Sequence, residues 1–494
     1  MEFPYDVIPY PGSPFAQTHP SRLATLATLF GMKPAPVERC RVLELGCTDG
    51  GNLLPMASTL PESEFVGVDL AGRAVAKGQD IARQLGLRNI ELRACDVRQV
   101  DRTWGEFDYI IAHGLYSWVP EPVREHLLKI SKENLAPNGV TYISYNAHPG
   151  GHLRKMIREM MLYHLRGVQE PAERISRARA FLDFLAKATP ARVDEYRALL
   201  ATELDQILTR DPCVLFHDEL AEIYEPLFFH EFMSHAQRHG LQFLSEANYH
   251  DMQDSAFSDL TGKTLQAFTG EDRIAHEQYR DFLKCRKFRQ TLLCHEEGKL
   301  DTDVKGARVQ DFYVASPAKE VQTQLQAESE LVREFQGPFG SSLKTAHPLA
   351  NSLMTWLIEA WPRSIHFKAL LDRAGAENVD ALGEIVLATY SAGLVELHSL
   401  PPLFTTAIGE RPRVSPLARW QARNGSMLTT LRHSSIEIED GIVRKLIMLL
   451  DGTRDRAALK RELLPLAEQI DEAVFDDELE RNLGRAAMMA LLMS

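Results

Sequence analysis

A glycine-rich turn directly follows a short apolar run, Val42 to Leu45, which also carries the carboxylate of Glu44. The run is too short for a helix and is typical of a buried strand. The turn contains three glycines, Gly46, Gly50 and Gly51. Because glycine has no Cβ, the backbone of this turn can approach a bound group closely, and the helix predicted over residues 52–60 would direct its N-terminus at that group. The residues predict a turn that holds a nucleotide cofactor.

Two more carboxylates end the predicted strands that follow this turn. Asp69 ends the run Glu64–Asp69, at the distance where an α/β nucleotide fold presents an acid to ribose hydroxyls. Asp96 ends the run Ile90–Asp96. For each acid alone, a helix cap or a solvated loop residue is the alternative, but their joint order supports a cofactor site. The spacing Gly-x-x-x-Gly-Gly differs from the Gly-x-Gly-x-x-Gly of dinucleotide-binding folds, so a dehydrogenase is disfavoured.

The block Glu44–Gly50 resembles motif I of class I S-adenosylmethionine-dependent methyltransferases. The resemblance implies S-adenosyl-L-methionine as the cofactor, an acid near it, a glycine loop around its methionine end, and Asp96 beside the adenine amino group. The resemblance and the strand order together predict these cofactor-binding residues: Glu44, Gly46, Cys47, Thr48, Asp49, Gly50, Asn52, Asp69, Leu70, Asp96, Val97 and His113.

Longer motifs extend the resemblance over roughly the first 300 residues. They lie at Tyr5–Phe15, Gly46–Ala57, His113–Pro120, Tyr145–Gly150 and Phe288–Cys294. They are similar to bacterial methyltransferases with a regulatory domain, a group that includes protein-lysine methyltransferases of outer-membrane proteins. The resemblance implies an α/β fold: a Rossmann-like class I methyltransferase sheet with a helical insertion and C-terminal winged-helix-like α+β modules.

Methyl transfer requires alignment of a nucleophile with the methyl group and a neutral amine when lysine is the acceptor. Desolvation beside aromatic rings lowers the pKa of an amine. The predicted catalytic residues are Tyr116, Trp118, Asn146 and His113, with the aromatic rings lining a channel and Asn146 or His113 orienting the acceptor. For each aromatic taken singly, packing in the core is the alternative.

The acceptor is less well determined than the cofactor. We predict a protein substrate with lysine side chains as acceptors; the alternatives are a small-molecule N- or O-methyltransferase and a cofactor-binding regulator without catalysis. The turn His113-Gly-Leu-Tyr116 lacks the Asn/Asp-Pro-Pro-aromatic pattern of enzymes that methylate base amines or glutamine amides, which disfavours those substrates.

Composition limits the partners. A formal charge of -13 argues against a broad grip on nucleic acid, and no apolar run is long enough for membrane insertion, so a cytoplasmic location is expected. No metal is expected, because no Cys-x-x-Cys occurs and the pair His235 and His239 has no third ligand evident in the sequence. A methionine stripe at residues 156–161 is either core or a subunit contact, which leaves a homodimer open.

The predicted domains follow from changes in these patterns along the 494 residues. Residues 1–151 hold an N-terminal lid and the cofactor-binding core, and the proline density of the first 20 residues argues against a helix there. Residues 152–214 form a helical insertion, 299–410 a middle helical or winged-helix-like domain, and 411–494 a C-terminal winged-helix-like domain. Residues 215–298 are a regulatory region that either adds the closing strands of the core sheet or forms a separate domain.

Overall fold

The computed structural model describes residues 4–188, 195–325, 331–466 and 471–494. Its central feature is a seven-stranded sheet. The strands are β1 (Arg41–Leu45), β2 (Glu64–Asp69), β3 (Ile90–Ala94), β4 (Phe107–Ala112), β5 (Leu135–Asn146), β6 (Leu241–Glu246) and β7 (Phe288–His295). Their spatial order is β3-β2-β1-β4-β5-β7-β6, and β7 is antiparallel to both of its neighbours. The order reverses beside β1, where an open α/β sheet binds its ligand.

Strands β6 and β7 come from the region for which two interpretations were open. Strand β7 pairs with β5 in the register Ile143 to Thr291, and β6 pairs with β7 in the register Phe243 to Leu293. Both strands therefore belong to the catalytic sheet rather than to a separate one.

Helices cover both faces of the sheet, since strands buried on two sides need apolar cover on each. The first twelve helices are α1 (Pro4–Val7), α2 (Pro20–Leu29), α3 (Leu53–Thr59), α4 (Gly72–Leu85), α5 (Glu121–Glu133), α6 (Gly150–His164), α7 (Pro171–Lys187), α8 (Glu195–Leu208), α9 (Pro212–Val214), α10 (Phe229–Arg238), α11 (Asp259–Thr269) and α12 (Arg273–Lys284). Helices α2 and α3 pack on one face, and α5 and α10 pack on the other.

Two helical segments correct or extend the sequence interpretation. The single turn α1 lies where proline density argued against a helix; Pro4 is its first residue, a position where the missing N–H of proline does no harm. Helices α6 to α8 enclose a small core of their own that includes Met161. The methionine stripe thus packs at least partly inside the insertion.

The middle region continues the core of the catalytic sheet. Its elements are β8 (Tyr313–Ala315), β9 (Lys319–Leu325), β10 (Leu331–Gln336), β11 (Ser342–Thr345), α13 (Pro348–Ala360), β12 (Ile365–His366), α14 (Phe367–Ala374), α15 (Val379–Ser391) and β13 (Glu396–His398). The antiparallel sheet β11-β10-β9 was not foreseen from the sequence. Leu23 and Tyr142 share one hydrophobic cluster with Val314 and Leu357, so the two regions are packed as one body.

The C-terminal region has a separate hydrophobic core that includes Val414, Leu428, Leu446 and Leu483. Its elements are α16 (Pro416–Asn424), β14 (Met427–Thr429), β15 (Ser435–Glu437), α17 (Gly441–Leu449), α18 (Arg456–Leu463) and α19 (Glu472–Met488). A tight turn at residues 430–434 joins β14 to β15 and points toward the cofactor turn, as described below. No helix within the described residues is long and apolar enough to span a membrane.

Candidate cofactor and acceptor site

The N-terminal lid, residues 4–18, lies directly on the glycine turn. The backbone N–H of Phe15 donates to Asn52 Oδ1 at 2.9 Å, and that of Arg73 donates to Asp6 Oδ1 at 2.9 Å. A Cβ at Gly51 would lie 2.7 Å from the Cα of Gly12, so any side chain at Gly51 would push the lid away. The turn and the lid therefore require glycine where they meet.

Glu44 lies beneath this turn with 3% of its surface exposed. Its Oε1 accepts a hydrogen bond from Asn52 Nδ2 at 2.8 Å, whereas its Oε2 is buried and has no hydrogen-bond partner among the described residues. Burial raises the pKa of Glu44 to about 8, and the nearby Asp69 adds to this effect. A buried carboxylate oxygen without a hydrogen-bond partner is suited to bind a positively charged group of a ligand.

The other two predicted acids lie at the ends of the neighbouring strands. Asp69 accepts hydrogen bonds from the backbone N–H groups of Thr48 at 2.9 Å and Ala71 at 2.8 Å, which fix its carboxylate beside the glycine turn. Asp96 accepts from the N–H of Arg98 at 2.8 Å. Because β1, β2 and β3 are adjacent and parallel, all three acids lie along one edge of the sheet.

Asp49 and Asn52 are used by the protein itself. Asp49 forms an ion pair with Lys77 at 2.8 Å. Asn52 binds Glu44, the lid and the C-terminal region: His433, in the turn between β14 and β15, lies with Nε2 2.8 Å from Asn52 Oδ1. His433 is buried and adopts a positive φ of 57°. Asn52 therefore connects the cofactor turn to the far end of the chain.

His113 lies between the lid and β5. Its Nδ1 is 2.9 Å from the Tyr142 hydroxyl and 3.2 Å from Ser144 Oγ, and its ring centroid is 3.9 Å from that of Phe15. Burial lowers the pKa of His113 to about 4, so the ring is neutral at pH 7. A neutral ring under the lid can orient a ligand without adding charge.

The four predicted catalytic residues do not gather in one place. Trp118 and Asn146 both contact Arg154, whose guanidinium carbon is 5.3 Å from the Trp118 ring centroid and whose Nη1 donates to Asn146 Oδ1 at 2.9 Å. Tyr116 instead packs in the core beneath α10 and places its hydroxyl 2.5 Å from His235 Nδ1. Tyr116 therefore belongs to a different cluster of polar side chains.

A second group of residues, not singled out from the sequence, surrounds Arg154. Glu219 is fully buried and lies 2.7 Å from Arg154 Nη2, and Asp218 lies 3.4 Å from the same atom. Tyr5 of the lid stacks on His217 with ring centroids 3.9 Å apart. The run His217-Asp218-Glu219 was the available signal, but it has no motif spacing that separates it from an ordinary polar segment.

Tyr5 connects this second group to the cofactor edge. Burial raises the pKa of Tyr5 to about 12, and the negative charges of Asp218 and Asp69 act in the same direction. Tyr5 stacks on His217, which precedes Asp218, and its neighbour Asp6 accepts from the backbone N–H of Arg73, four residues after Asp69. The lid therefore joins this aromatic and acidic cluster to the edge of the sheet that carries the three acids.

The sheet order, the glycine turn and the three acids at adjacent strand ends define a class I S-adenosylmethionine-dependent methyltransferase. The matching family models agree: a methyltransferase domain covers residues 42–139, a predicted methyltransferase regulatory domain covers 211–295, and a PKMT C-terminal winged helix domain covers 410–481.

Relatives extend the match to nearly the whole chain. An uncharacterized protein of Rickettsia prowazekii is 33% identical over 94% of this chain and 86% of its own. PKMT2 from Rickettsia typhi is 26% identical over 98% of this chain and 100% of its own, with a TM-score of 0.87. Its complex with AdoHcy matches with 27% identity over the same shares and a TM-score of 0.86.

The chain therefore belongs to the family of class I methyltransferases that carry the regulatory region and the PKMT winged-helix domain. This confirms the resemblance and the cofactor inferred from the sequence. S-adenosylmethionine also fits the residues present. Its ammonium group suits Oε2 of Glu44, which has no hydrogen-bond partner among the described residues.

Proposed function

We propose that this methyltransferase transfers methyl groups to lysine side chains of a protein. The observation that carries the proposal is the match to PKMT2 over 98% of the chain, which includes the middle and C-terminal regions and not the cofactor domain alone. A small-molecule acceptor remains the competing outcome of the experiment below.

In this proposal the three acids would hold the cofactor. Glu44 would accept a hydrogen bond from its ammonium group, Asp69 would accept from its ribose hydroxyls, and Asp96 would lie beside its adenine. Leu70 and Val97, which follow these acids in the chain, flank the same edge. Gly46, Cys47, Thr48 and Gly50 form the turn, while Asp49 and Asn52 brace it through Lys77 and His433. The bound cofactor supplies an electrophilic methyl group on its sulfonium.

The acceptor lysine would enter beside Tyr5, Trp118 and Asp218. Asp218 attracts the incoming ammonium, and burial raises the pKa of Asp218, which narrows the gap between its proton affinity and that of the amine. Arg154, a cation 3.4 Å from Asp218, lowers the pKa of an approaching amine. The half-buried rings of Tyr5 and Trp118 limit the access of water, so both effects favour the neutral amine that can attack a methyl group.

The experiment uses the full chain with methyl-labelled S-adenosylmethionine and separate protein and low-mass fractions of a bacterial lysate. We expect label on protein, and acid hydrolysis should release it as methyllysine. Asp218→Asn should lower kcat/KM by about 100-fold, because it removes both the attraction and the proton acceptor, while the cofactor Kd stays within about twofold.

Asp211→Asn is the matched control, since Asp211 is an exposed residue that caps α9 and asparagine caps equally well. The control should retain wild-type turnover. Label found only in the low-mass fraction would overturn the lysine assignment. Equal loss of activity in both variants would show that Asp218 has no specific role at the acceptor site. The assignment of the cofactor-binding residues would not be affected.

A further inference from the structure

Three side chains of the types that can bind metal ions meet where α10 packs on α5. Glu125 lies on α5, His235 lies in the last turn of α10, and His239 is the residue that ends this helix. His235 Nε2 is 2.8 Å from Glu125 Oε1, and His239 Nε2 is 2.8 Å from Glu125 Oε2. One ligand atom from each of the three residues lies within 4.8 Å of the others.

The donor set matches that of open metal sites. Two histidines four residues apart share one helix face, and a carboxylate from the facing helix supplies the third ligand. Two histidines and one glutamate bind zinc in open sites and leave the fourth position for water. Ligand atoms around a tetrahedral zinc ion lie about 3.3 Å apart, so each of the two 2.8 Å contacts to Glu125 would lengthen by about 0.5 Å to admit an ion.

Tyr116 orients one of the ligands. Its hydroxyl is 2.5 Å from His235 Nδ1, the ring nitrogen on the side away from Glu125. With its proton on Nδ1, toward the Tyr116 hydroxyl, the ring keeps the lone pair of Nε2 for a metal ion. That Nε2 is buried and makes no well-aligned hydrogen bond within the described part of the chain, despite its short distance to Glu125. A hydrogen bond of this kind, from a residue that is not itself a ligand, fixes the ring orientation of a metal-binding histidine.

The cluster is open to solvent on one side. A cleft of about 480 Å³ reaches Glu125 and His235 and gives an ion a path inward. Arg238 is the nearest competing cation, with Nη2 3.9 Å from Glu125 Oε1, but its side chain is 65% exposed and can turn into solvent. An ion in the cluster would replace this weak contact.

We propose that Glu125, His235 and His239 bind one divalent transition-metal ion, such as zinc, in a site separate from the methyl-transfer chemistry. Glu125 lies in the segment matched as the methyltransferase domain, and both histidines lie in the segment matched as the regulatory domain. The ion would therefore join the two segments. Through His235 and Tyr116 it would also hold the loop after β4, which carries His113 and Trp118.

The test measures metal binding directly, on the full chain after dialysis against a chelator. Elemental analysis after equilibration with zinc should find one ion per chain, and cobalt(II) should give the visible absorption bands of a low-symmetry nitrogen and oxygen site. Zinc should raise the thermal midpoint by several degrees, because it binds only the native pair of helices. Magnesium should have no effect, since it prefers oxygen ligands.

Substitutions distinguish this site from general binding of metal to surface histidines. His235→Ala with His239→Ala should abolish the bound ion and the midpoint shift, and Tyr116→Phe should weaken zinc by about tenfold. His230→Ala is the matched control on the same helix, because His230 contacts Gln278 instead. Substoichiometric zinc in the wild type, or equal zinc in the double variant, would overturn the proposal and leave Glu125 as a hydrogen-bond partner of two histidines.

Discussion

Two buried polar networks lie in the same sheet. They differ in how many of their polar atoms have hydrogen-bond partners within the described residues. At β7, Arg289 is fully buried and donates to three carboxylates: Nε to Asp281 at 2.8 Å, Nη1 to Glu246 at 2.7 Å and Nη2 to Glu277 at 3.0 Å. At β1, Glu44 is nearly as buried, but only one of its oxygens has a hydrogen-bond partner in the part of the chain that the structure describes.

The difference separates a structural network from a binding site. A buried charge without a partner destabilises the folded state, so native structures rarely retain one without a use. Arg289 and its carboxylates are complete within the chain and stabilise the packing of α12 on β6 and β7. The network around Glu44 becomes complete only when a ligand supplies a cation. The predictions below test this contrast, from the largest expected effect to the smallest.

Arg289→Met should destabilise the fold strongly. It leaves Glu246, Glu277 and Asp281 buried around an apolar side chain, and loss of one partner from a buried ion pair costs about 3–5 kcal/mol. Urea denaturation would measure this loss. Arg83→Met is the control, since its pair with Asp80 is exposed and should contribute less than about 1 kcal/mol. A loss at Arg289 no larger than that at Arg83 would contradict the contrast.

Glu44→Gln should lower the affinity for the cofactor without destabilising the fold, the opposite of Arg289→Met. We expect the free energy of unfolding to stay level or rise, because a buried carboxylate is replaced by a neutral group of the same shape. The affinity for S-adenosylmethionine should fall by about 1.5–3 kcal/mol, the range for a hydrogen bond to a charged group. Calorimetry measures the affinity, and Glu62→Gln, an exposed residue paired with Arg39, is the control. Unchanged affinity would exclude Glu44 from the cofactor site.

The pH dependence of cofactor binding follows from Glu44. Its pKa rises from the ordinary 4.5 to about 8 in the folded chain, so the folded state holds the proton more tightly than the unfolded state. The stability that this group contributes is therefore present below its unfolded pKa and is lost as the pH rises from about 4.5 to 8.

Binding of the cofactor ammonium needs the ionised carboxylate, so the sign for affinity is reversed. We expect Kd to fall by about tenfold between pH 6 and pH 7 and to level off above about pH 8. Glu44→Gln should remove this dependence. A flat Kd in the wild type over the same range would show that Glu44 does not change its charge on binding.

His433→Ala should produce the smallest effect and show how far the site extends. Without His433, Asn52 loses a buried partner and its hydrogen bond to Glu44 becomes less well fixed. Cofactor binding should therefore weaken by about 1 kcal/mol, which raises Kd about fivefold. His164→Ala, an exposed residue on α6, is the control. An unchanged Kd would mean that the C-terminal region touches the cofactor turn without supporting it.

The part of this site that local pattern encodes was predictable from sequence. Glu44, Asp69 and Asp96 lie at or just beyond the ends of strands whose order follows from apolar runs and glycine spacing, so their common edge could be inferred. The contact between His433 and Asn52 joins residues 381 positions apart, and Glu125 lies 114 positions from His239. Such contacts depend on how complete helices and domains pack, which no local periodicity records.

The direction of the Tyr116 side chain and the packing of the middle region could not be predicted from the sequence, for one and the same reason. An aromatic residue after β4 can face the acceptor or the core, and only the packing of α10 decides which. The middle region read as an appended module, but Val314 and Leu357 complete the hydrophobic cluster that contains Leu23 and Tyr142. A cut near Gln310 would therefore expose the core rather than release a separable domain, so point substitutions are the better tests.

The position of the lid affects the order in which the methylation states of an acceptor lysine should appear. Gly12 of the lid lies against Gly51 over the cofactor turn. Tyr5 of the same lid stacks on His217, next to Asp218 at the proposed acceptor site. If exchange of spent for fresh cofactor requires the lid to move, that movement would also loosen the acceptor. On the proposed function, each encounter would then add one methyl group before the acceptor leaves. We expect monomethylated lysine to accumulate first and higher methylation states to appear only after release and rebinding.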